Sequence, residues 1–502
     1  MTVMSVVSKT DFLFWRECPR NAWLRTHKPT VFSATPLTDF EQALIDDGIE
    51  VELLARGLFS SGVLVTPESD STTYAQTKKL VDSETPVVFQ GNFECDGFSA
   101  AVDVLTFNSR SGRYSLHEIK SSSAPSDEHL DDVAFQTALL RRSGLSVERA
   151  FLILTSSNYI RSGQINLREM FQTVDVTSDV FAREPLVLKQ SETARRYLAD
   201  DNEPPAPCEC IFKPRSRHCT TFKYSNPNVP SYGVHDITRI RPTKLRQLVE
   251  SGCMTLLDVP KSFELSDIQR RQVEVFQSGK AHMDIDRIRA ELLSLRLPIT
   301  FLDYETFPSA IPLFDGYSPH EQVPFQYSLH VVVNAGDAPS HFEFLYTDRN
   351  DPVNEFVASL QRQLPRSGSI VVWNKSFECS VNENIWRRAE THRPFLSELN
   401  SRIYDLRDVF SKQFYVHLGF CGKTSIKNVL PIMAPELEYA SLTIKDGGMA
   451  AATWAKLTRM QESDADREVL SESLRRYCGL DSYAMYAIWH ALNNAVNLGK
   501  WQ

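Results

Sequence analysis

The alternation of apolar and polar positions divides the chain into three stretches. Residues 1 to about 200 mix helical and strand-like patterns, and a group of prolines at 204–207 then interrupts them. Residues 232–297 have mainly helical patterns, whereas the chain after Pro298 begins with strands and ends with helices. These patterns predict a mixed α/β protein with two folded regions and a helical connector.

The stretch LDYETF places two acids inside an apolar and aromatic run that predicts a buried strand. Asp303 and Glu305 are two positions apart, so both side chains leave the same face of that strand. Carboxylates this close repel each other unless a cation lies between them or one of them is protonated. The alternative interpretation is a strand end with both acids in solvent.

Two later stretches supply polar partners for this pair. SIVVWNKSFECSVNENIW predicts a strand, a turn and a helix, with Asn374 and Glu378 at the junction. LRRYCGLDSYAMYAIWHAL predicts a helix on which Tyr477 and Asp481 share one face. Four acids suit a pair of hard divalent ions, Mg2+ or Mn2+, which hydrolyse phosphodiesters by activating water and holding the leaving oxygen. The tyrosine would orient or deprotonate that water. The alternative for Tyr477 and Asp481 is a solvated helix face, and the alternative for Asn374 is a turn residue.

The order DxE, NxxF with an acid, and YxxxD resembles the motifs of DnaQ-like, RNase H-fold 3′-5′ exonucleases of the DEDDy subclass. LDYETF, WNKSFE and YCGLD are the matching stretches. The resemblance implies four metal ligands, Asp303, Glu305, Glu378 and Asp481. It also gives Tyr477 a catalytic role and Asn374 a contact with substrate. Glu378 stands where the family usually has aspartate, so Asp405 in IYDLRDVF is a substitute ligand.

A second set of charged residues lies on a predicted hairpin in the N-terminal region. AAVDVLTFNSRSGRYSLHEIKSSS has NSRSG as its turn, with Asp103, Glu118 and Lys120 on the arms. Glu118 and Lys120 are two positions apart and project to one face of their strand. A carboxylate pair holds magnesium, and a neighbouring lysine would stabilise the attacking hydroxide or the phosphorus centre. The alternative is a hairpin with solvated charges.

Two neighbouring helical stretches add candidate ligands to this hairpin. DDVAFQTALL places Gln136 within reach of the same pocket, and DFEQALIDDGIEVELLARGLF presents Glu41 and Glu52. The whole set resembles the PD-(D/E)XK nuclease core of the RecB-like class over residues 1–222, with EIK as its ExK motif. Two positions depart from that family, because Leu140 replaces its tyrosine and Glu52 replaces its histidine.

Length, charge and the opening residues narrow the class of protein. A chain of 502 residues with 42% hydrophobic and 23% charged residues predicts a folded protein of two or three domains. The net charge of -9 argues against a globally basic nucleic-acid coat. MTVMSVVSKTDFLFW lacks the features of a signal peptide, and the chain has no apolar run of membrane-spanning length. We therefore expect a cytoplasmic protein without a membrane partner.

In the cytoplasm, cysteines are more often thiols or metal ligands than disulfides. Cys18 lies in SKTDFLFWRECPRNAWL, which resembles the opening helix of iron-sulfur RecB-like nucleases, and Cys208, Cys210 and Cys219 close the same region. The resemblance implies that these four thiolates hold a 4Fe-4S cluster. A zinc site and ordinary reduced thiols are the alternatives.

The layout as a whole resembles an uncharacterised bacterial family that joins these two nuclease folds. It implies a restriction-endonuclease-like domain at 1–222, a helical connector at 223–297 and an RNase H-like exonuclease domain at 298–502. We expect a metal-dependent nuclease with a site in each domain, acting in DNA processing, repair or defence. Its partner would be nucleic acid, with DNA favoured over RNA, and the basic stretches KPRSRH and RIRPTKLRQ would hold the backbone unless they are solvated faces. The alternatives are a nucleic-acid-binding scaffold with one or both sites inactive, and an RNA-processing exonuclease.

Overall fold

The computed structural model describes residues 6–33, 37, 39–66, 70–460 and 466–498. The chain divides into two compact units. Unit 1 consists of Met1–Leu37, Glu41–Val229 and Ser309–His320. Unit 2 consists of Thr38–Phe40, Pro230–Pro308 and Glu321–Gln502. Most of the predicted connector therefore belongs to unit 2. The domain boundaries 1–222, 223–297 and 298–502 stay predictions.

The described part of unit 1 combines one mixed sheet with helices. Its strands are β1 (Val7–Ser8), β2 (Val63–Leu64), β3 (Val87–Cys95), β4 (Phe98–Asn108), β5 (Arg113–Lys120), β6 (Val147–Thr155) and β7 (Phe171–Asp175). Its helices are α1 (Lys9–Glu17), α2 (Pro19–His27), α3 (Pro29–Phe32), α4 (Asp39–Ala55), α5 (Asp70–Asp82), α6 (Asp127–Arg142), α7 (Leu167–Met170), α8 (Thr177–Leu198) and α9 (Phe222–Ser225).

The sheet of unit 1 has the order β2-β3-β4-β5-β6-β7, and β1 pairs with the start of β4. β4 and β5 are antiparallel, whereas β5 and β6 are parallel, so the predicted hairpin is confirmed. Its turn ends at Gly112, whose φ of 68° is a left-handed conformation that favours glycine. Phe12 of α1 stacks on Phe135 of α6 with ring centroids 4.9 Å apart, which holds α1 against the core.

Unit 2 also mixes parallel and antiparallel strands with helices, which confirms the mixed α/β class. The described strands are β8 (His282–Met283), β9 (Ile299–Pro308), β10 (Gln322–Val332), β11 (Ser340–Leu345), β12 (Ser369–Val372), β13 (Ile403–Asp405) and β14 (Tyr415–Val416). The described helices are α10 (Pro242–Glu250), α11 (Asp267–Ser278), α12 (Ile285–Leu293), α13 (Val353–Gln363), α14 (Lys375–Arg388), α15 (Arg393–Ser401), α16 (Asp408–Ser411), α17 (Ile426–Met433), α18 (Gly447–Arg459) and α19 (Asp466–Leu498).

The main sheet of unit 2 has the order β11-β10-β9-β12-β13, with β9 in the centre. β9 is antiparallel to β10 and parallel to β12, and β8 pairs with β14 in a separate ribbon. A β-bulge between Pro324 and Gln326 lies opposite the end of β9 that carries Glu305. None of the described helices is both long enough and apolar enough to cross a membrane.

Candidate functional site

The acids of LDYETF lie together on β9. One ligand atom of Asp303, one of Glu305 and the Sγ of Cys478 all lie within 4.8 Å of one another. Glu305 is only 6% exposed, because β9 is the central strand of its sheet. Strand alternation therefore brings the two carboxylates into one small space, in which Glu305 is buried and Asp303 is partly exposed.

Helix α19 adds a third acid and a phenol to this space. Asp481 and Tyr477 line one cavity of about 540 Å3 together with Asp303 and Glu305. The hydroxyl of Tyr439 donates a hydrogen bond to Asp481. We call this space the carboxylate cavity, and it brings together four of the residues that the C-terminal motifs predicted.

Burial and mutual repulsion make the charged forms of these acids costly. Burial, with the charge of Asp481 next, raises the pKa of Asp303 and of Glu305 well above their ordinary values. Burial also raises the pKa of Asp481 to about 6, although the Tyr439 hydroxyl and Lys427 act in the opposite direction. Buried negative charge without a cation costs several kcal/mol, so a divalent ion would suit this cavity electrostatically.

Three residues near the carboxylate cavity, Lys427, Tyr439 and Cys478, were not predicted from the sequence. Lys427 Nζ lies 5.5 Å from the ring centroid of Tyr477 and 5.6 Å from that of Tyr439. The lysine charge lowers the pKa of Glu305 and Asp481 against the effect of burial. Lys427 belongs to α17 and carries no local sequence signal, whereas Cys478 lies inside the YCGLD motif and was available to sequence reasoning.

Glu378 occupies the first turn of α14 but does not line the described wall of the carboxylate cavity. It is 3% exposed, and its Oε2 has no hydrogen-bond partner among the described residues. Burial raises the pKa of its carboxyl to about 8. Phe377, its neighbour in sequence, contributes to the cavity wall. Glu378 is therefore a buried acid beside the cavity rather than in it.

The other two C-terminal candidates lie elsewhere in unit 2. Asn374 is exposed at the start of α14 and lines a different cavity, described below. Asp405 ends β13, where its carboxylate accepts hydrogen bonds at 3.0 Å from the backbone N–H groups of Lys375 and Arg407. Asp405 thus anchors the start of α14, and the structure places neither residue in the carboxylate cavity.

In unit 1, Glu118 is the centre of an ionic network. Its Oε1 accepts hydrogen bonds from Lys120 Nζ at 2.8 Å and from Lys9 Nζ at 3.0 Å, and its Oε2 accepts one from Gln136 Nε2 at 2.8 Å. Glu118 is 1% exposed. Burial opposes its charge, but the two lysines lower the pKa of the carboxyl below its ordinary value. The ExK residues and the glutamine therefore meet as predicted.

Asp132 and Lys9 complete this network and were not predicted. Asp132 accepts hydrogen bonds at 2.8 Å from both Lys120 and Gln136, and Lys9 Nζ lies 3.3 Å from its Oδ1. Asp132 precedes Gln136 by one helical turn, which is a usable sequence signal. Lys9 reaches the network because β1, at Val7–Ser8, pairs with β4 and starts α1 there, a contact without a local signal.

Asp103 and Glu52 lie next to this network and share a donor. Gln90 Nε2 donates to both carboxylates, at 3.1 Å to Asp103 Oδ1, and the Ile119 N–H donates to Asp103 Oδ2 at 2.9 Å. Burial, reinforced by the Glu118 charge, raises the pKa of Asp103 to about 8. Within the described ranges, these acids do not form a group of three ligand atoms within 4.8 Å, and Glu41 is exposed on α4.

The four candidate cysteines lie together. The Sγ atoms of Cys18, Cys208, Cys210 and Cys219 all lie within 4.8 Å of one another and are buried. Cys208 and Cys219 are 4.0 Å apart, and Asn226 Nδ2 donates to the Cys208 sulfur at 3.2 Å. Three hydrogen bonds from Thr220 and Thr221 to Asn21 Oδ1 hold the two chain segments together.

The basic stretch KPRSRH follows this cysteine group and has structural contacts. Lys213 Nζ donates to the Glu17 carbonyl at 2.8 Å, and a ring nitrogen of His218 lies 2.9 Å from the Lys213 carbonyl. The ring of His218 also stacks on Phe222. At least these two side chains of the stretch therefore support the cysteine segment itself.

Comparisons with known proteins match the part of the chain that includes β9. Residues 300–425 match the family described as "Domain of unknown function (DUF2779)". The chain is 24% identical over 241 residues to "Uncharacterized protein MG366" of Mycoplasma genitalium, which covers 43% of this chain and 35% of that protein. It is 25% identical over 206 residues to "Uncharacterized protein MG366 homolog" of Mycoplasma pneumoniae, which covers 38% of this chain and 31% of that protein. The match thus spans about a third of each relative.

Proposed function

We propose that this chain is a metal-dependent nuclease that hydrolyses nucleic-acid phosphodiester bonds, with a 3′-5′ exonuclease site of the DEDDy type in unit 2. One observation carries the proposal: Asp303, Glu305 and Asp481 converge with Tyr477 on one cavity. Three acids with raised pKa values, of which Glu305 and Asp481 are buried and Asp303 is partly exposed, are costly to the fold, so their convergence is more typical of a functional site than of a structural one. The oxygen-rich donor set suits Mg2+ or Mn2+.

The residues of the carboxylate cavity divide the work of such a reaction. Divalent ions bound there would activate a water molecule and neutralise the negative charge that develops on the leaving oxygen. Asp303, Glu305 and Asp481 would hold them. Burial, with the Asp481 charge next, raises the pKa of Tyr477, so the phenol stays protonated and favours orienting the water over removing its proton.

Glu378 remains the proposed fourth acid. Among the described residues its buried Oε2 has no hydrogen-bond partner, and such an atom beside a cavity of acids is costly unless a ligand binds it. Asp405 is the weaker choice, because its two oxygens already accept backbone hydrogen bonds. Glutamate exceeds aspartate by one methylene, which gives Glu378 a longer reach toward the cavity.

We propose a second nuclease site of the PD-(D/E)XK type around Glu118 and Asp103 in unit 1. Lys120 would stabilise the attacking hydroxide or the phosphorus centre, and Gln136 would orient Glu118. A second candidate function has its own support, because Lys9 already binds the Glu118 oxygen that faces Lys120. That ion pair favours a unit 1 that binds nucleic acid without cutting it.

The cysteine group is proposed to hold a metal centre that closes unit 1. A 4Fe-4S cluster agrees with the resemblance and with four thiolate ligands. Zinc is the second candidate, and sulfur spacing favours it. Zn–S bonds of about 2.3 Å in a tetrahedron place the sulfurs about 3.8 Å apart, close to the 4.0 Å between Cys208 and Cys219. A cluster would need the sulfurs farther apart, because each binds a different iron.

A panel of end-labelled substrates tests the proposal. Single- and double-stranded DNA and RNA, labelled at either end, are incubated with the full chain in Mn2+, in Mg2+ and in EDTA. We expect metal-dependent release of nucleotides from the 3′ end, with DNA preferred, as a role in DNA processing, repair or defence requires. Asp303→Ala removes this release, whereas Lys280→Ala, an exposed change elsewhere in unit 2, does not. Equal trimming by the Asp303→Ala variant would reject the exonuclease site.

A further inference from the structure

We propose that a second, basic cavity of unit 2 binds the backbone of a single-stranded polynucleotide and leads its end into the carboxylate cavity. The inference rests on the proposed nuclease function and names how its substrate is held. The basic cavity has a volume of about 1000 Å3. Its cationic lining residues come from distant parts of the chain: Arg239, Arg241, Lys244, Arg407 and Lys423.

The charges of this cavity are largely unneutralised. In the described part of the chain, the side chains of Arg239, Arg241 and Lys423 have no hydrogen-bond or ion-pair partner. The Arg407 Nε donates to the Thr424 hydroxyl at 3.1 Å and leaves the rest of the guanidinium available. Glu264 is the acidic residue of the described wall, and its side chain is 92% exposed. Lys244 pairs with Glu264 at 3.4 Å. In the described part of the chain, the other four cations have no carboxylate partner, and converging cations of this kind indicate a polyanionic ligand.

The wall of the basic cavity also offers ring surfaces. Trp373, Tyr232 and His417 line it, each partly exposed, and Trp373 is fixed by a hydrogen bond from its Nε1 to the Thr424 carbonyl at 3.1 Å. Cationic grooves with aromatic side chains are typical of single-strand binding, because bases that are not paired stack on rings. A duplex keeps its bases inside the helix and would not use this surface.

Two connections join the basic cavity to the carboxylate cavity within unit 2. Asn374 lines the basic cavity and Phe377 lines the carboxylate cavity, so the first turn of α14 borders both. The segment 423–425 lines the basic cavity, and Lys427 two residues later lies over the Tyr477 ring. A strand held by the first cavity would therefore pass α14 to reach the acids. This path also gives Asn374 its substrate contact.

The size of the basic cavity fits a short segment of chain. Ligand cavities usually have volumes of about 300–1,000 Å3, so this one is at the upper end of that range. It would take a few nucleotides rather than one phosphate ion. Because the contacts are to phosphates and ring faces, we expect little dependence on base sequence.

Binding and trimming by matched variants test this inference. The groove variant carries Arg239→Gln, Arg241→Gln and Lys423→Gln. The control variant loses the same charge at exposed positions outside the cavity: Lys280→Gln, Arg362→Gln and Lys456→Gln. Fluorescence anisotropy of a labelled 20-nucleotide single strand, DNA or RNA, is measured in EDTA over a range of salt concentrations. Trimming of the 20-mer and of a dinucleotide is then compared in Mn2+.

We expect the groove variant to bind the 20-mer at least tenfold more weakly. Each lost phosphate contact on a single strand lowers the salt slope by about 0.7, so three contacts lower it by about 2. Its kcat/KM on the 20-mer should fall more than its kcat/KM on the dinucleotide. The control variant should resemble the parent in binding and in both reactions.

Two results would overturn the inference in distinguishable ways. If the parent trims both substrates and the groove variant binds and trims like the parent, the basic cavity is not the docking site and the nuclease function stands. If the parent neither binds the strand nor releases nucleotides under any metal condition, the proposed function fails and the inference fails with it. A parent that binds through this cavity without cleavage supports docking and rejects the nuclease.

Discussion

The Lys9 ammonium lies 3.0 Å from the Glu118 carboxylate, although 109 positions separate the two residues. Lys120 binds the same oxygen at 2.8 Å. Two ammonium groups on one oxygen occupy the place where a cation would approach the proposed N-terminal site. Lys9 therefore neutralises the buried acids, and it would compete with the proposed metal for them.

Removing Lys9 should weaken the fold and strengthen metal binding. Lys9→Met removes one counter-charge from Glu118 and Asp132, and breaking a buried ion pair costs several kcal/mol. We therefore expect the free energy of unfolding in EDTA to fall by about 2–3 kcal/mol. Mn2+ should restore much of this loss, measured as the melting temperature with and without the metal. Lys78→Met removes an exposed ion pair with Asp82 and should change stability by less than about 1 kcal/mol. A Lys9→Met protein that Mn2+ does not stabilise would contradict the competition.

The two proposed sites should act independently in chemistry. Lys120→Ala should remove any endonucleolytic activity of unit 1 and leave 3′ trimming intact, because the ligand sets lie in different units. Asp303→Ala should do the reverse. Both activities are measured on one circular and one end-labelled linear substrate. Loss of every activity in each variant would instead indicate one composite nuclease.

Tyr477→Phe should slow trimming without removing metal. The ring stays in place and only the hydroxyl is lost, so a water-orienting role predicts a fall of about 100-fold in kcat. Binding of Mn2+, followed by calorimetry, should be unchanged within about threefold. Tyr486→Phe, on the same helix but outside the carboxylate cavity, serves as the control. An unchanged kcat for Tyr477→Phe would remove the hydroxyl from the mechanism.

Cys18→Ser should release the metal centre and destabilise unit 1. A centre that joins Cys18 to Cys208 would close a long loop and stabilise unit 1 mainly by restricting the unfolded chain, so its loss should lower the melting temperature. Anaerobically purified parent should contain either about four irons with brown colour or one zinc without colour, and the variant should lack that metal and melt several degrees lower. Cys95→Ser, outside the group, should keep both properties. A parent with neither metal would reduce the four residues to ordinary thiols.

Acid should destabilise unit 2 partly through His330. Burial, with the neighbouring His341, lowers the pKa of His330 to about 3. The unfolded chain takes up this proton below about pH 6.5 and the folded one does not, so stability is complete above pH 6.5 and falls as the pH drops toward 3. We expect the protonation of this residue in the unfolded chain to lower the free energy of unfolding by about 2 kcal/mol at pH 5. His330→Gln should lose less stability between pH 7.5 and pH 5 than the parent, whereas exposed His490→Gln should match the parent.

Residues that share one element were accessible to sequence reasoning, and residues brought by distant elements were not. Asp303 with Glu305 and Glu118 with Lys120 follow from strand alternation alone. Gln136 was placed correctly because a helix follows the hairpin directly. Lys9 depends on the pairing of β1 with β4, and Lys427 on the approach of α17 to α19, so neither has a signal within its own neighbourhood.

The motifs predicted the position in the fold least well for Asn374 and Asp405. Both stand in the expected order along the chain, but order does not determine which side of a helix start faces a cavity. The first turn of α14 presents Phe377 to the carboxylate cavity and Asn374 to the basic cavity. The backbone N–H groups at Lys375 and Arg407 then bind Asp405, which local sequence does not reveal.

Because Cys18 groups with Cys208, Cys210 and Cys219, the four-cysteine group can form only late in synthesis of the chain. A ribosome adds about 5–20 residues per second, so Cys18 emerges roughly 10–40 s before Cys219 does. Throughout that interval the set of four thiols is incomplete. If the four cysteines hold the proposed metal centre, Cys18 must stay reduced until that centre forms, and expression under oxidative stress should trap Cys18 in mixed disulfides before unit 1 folds.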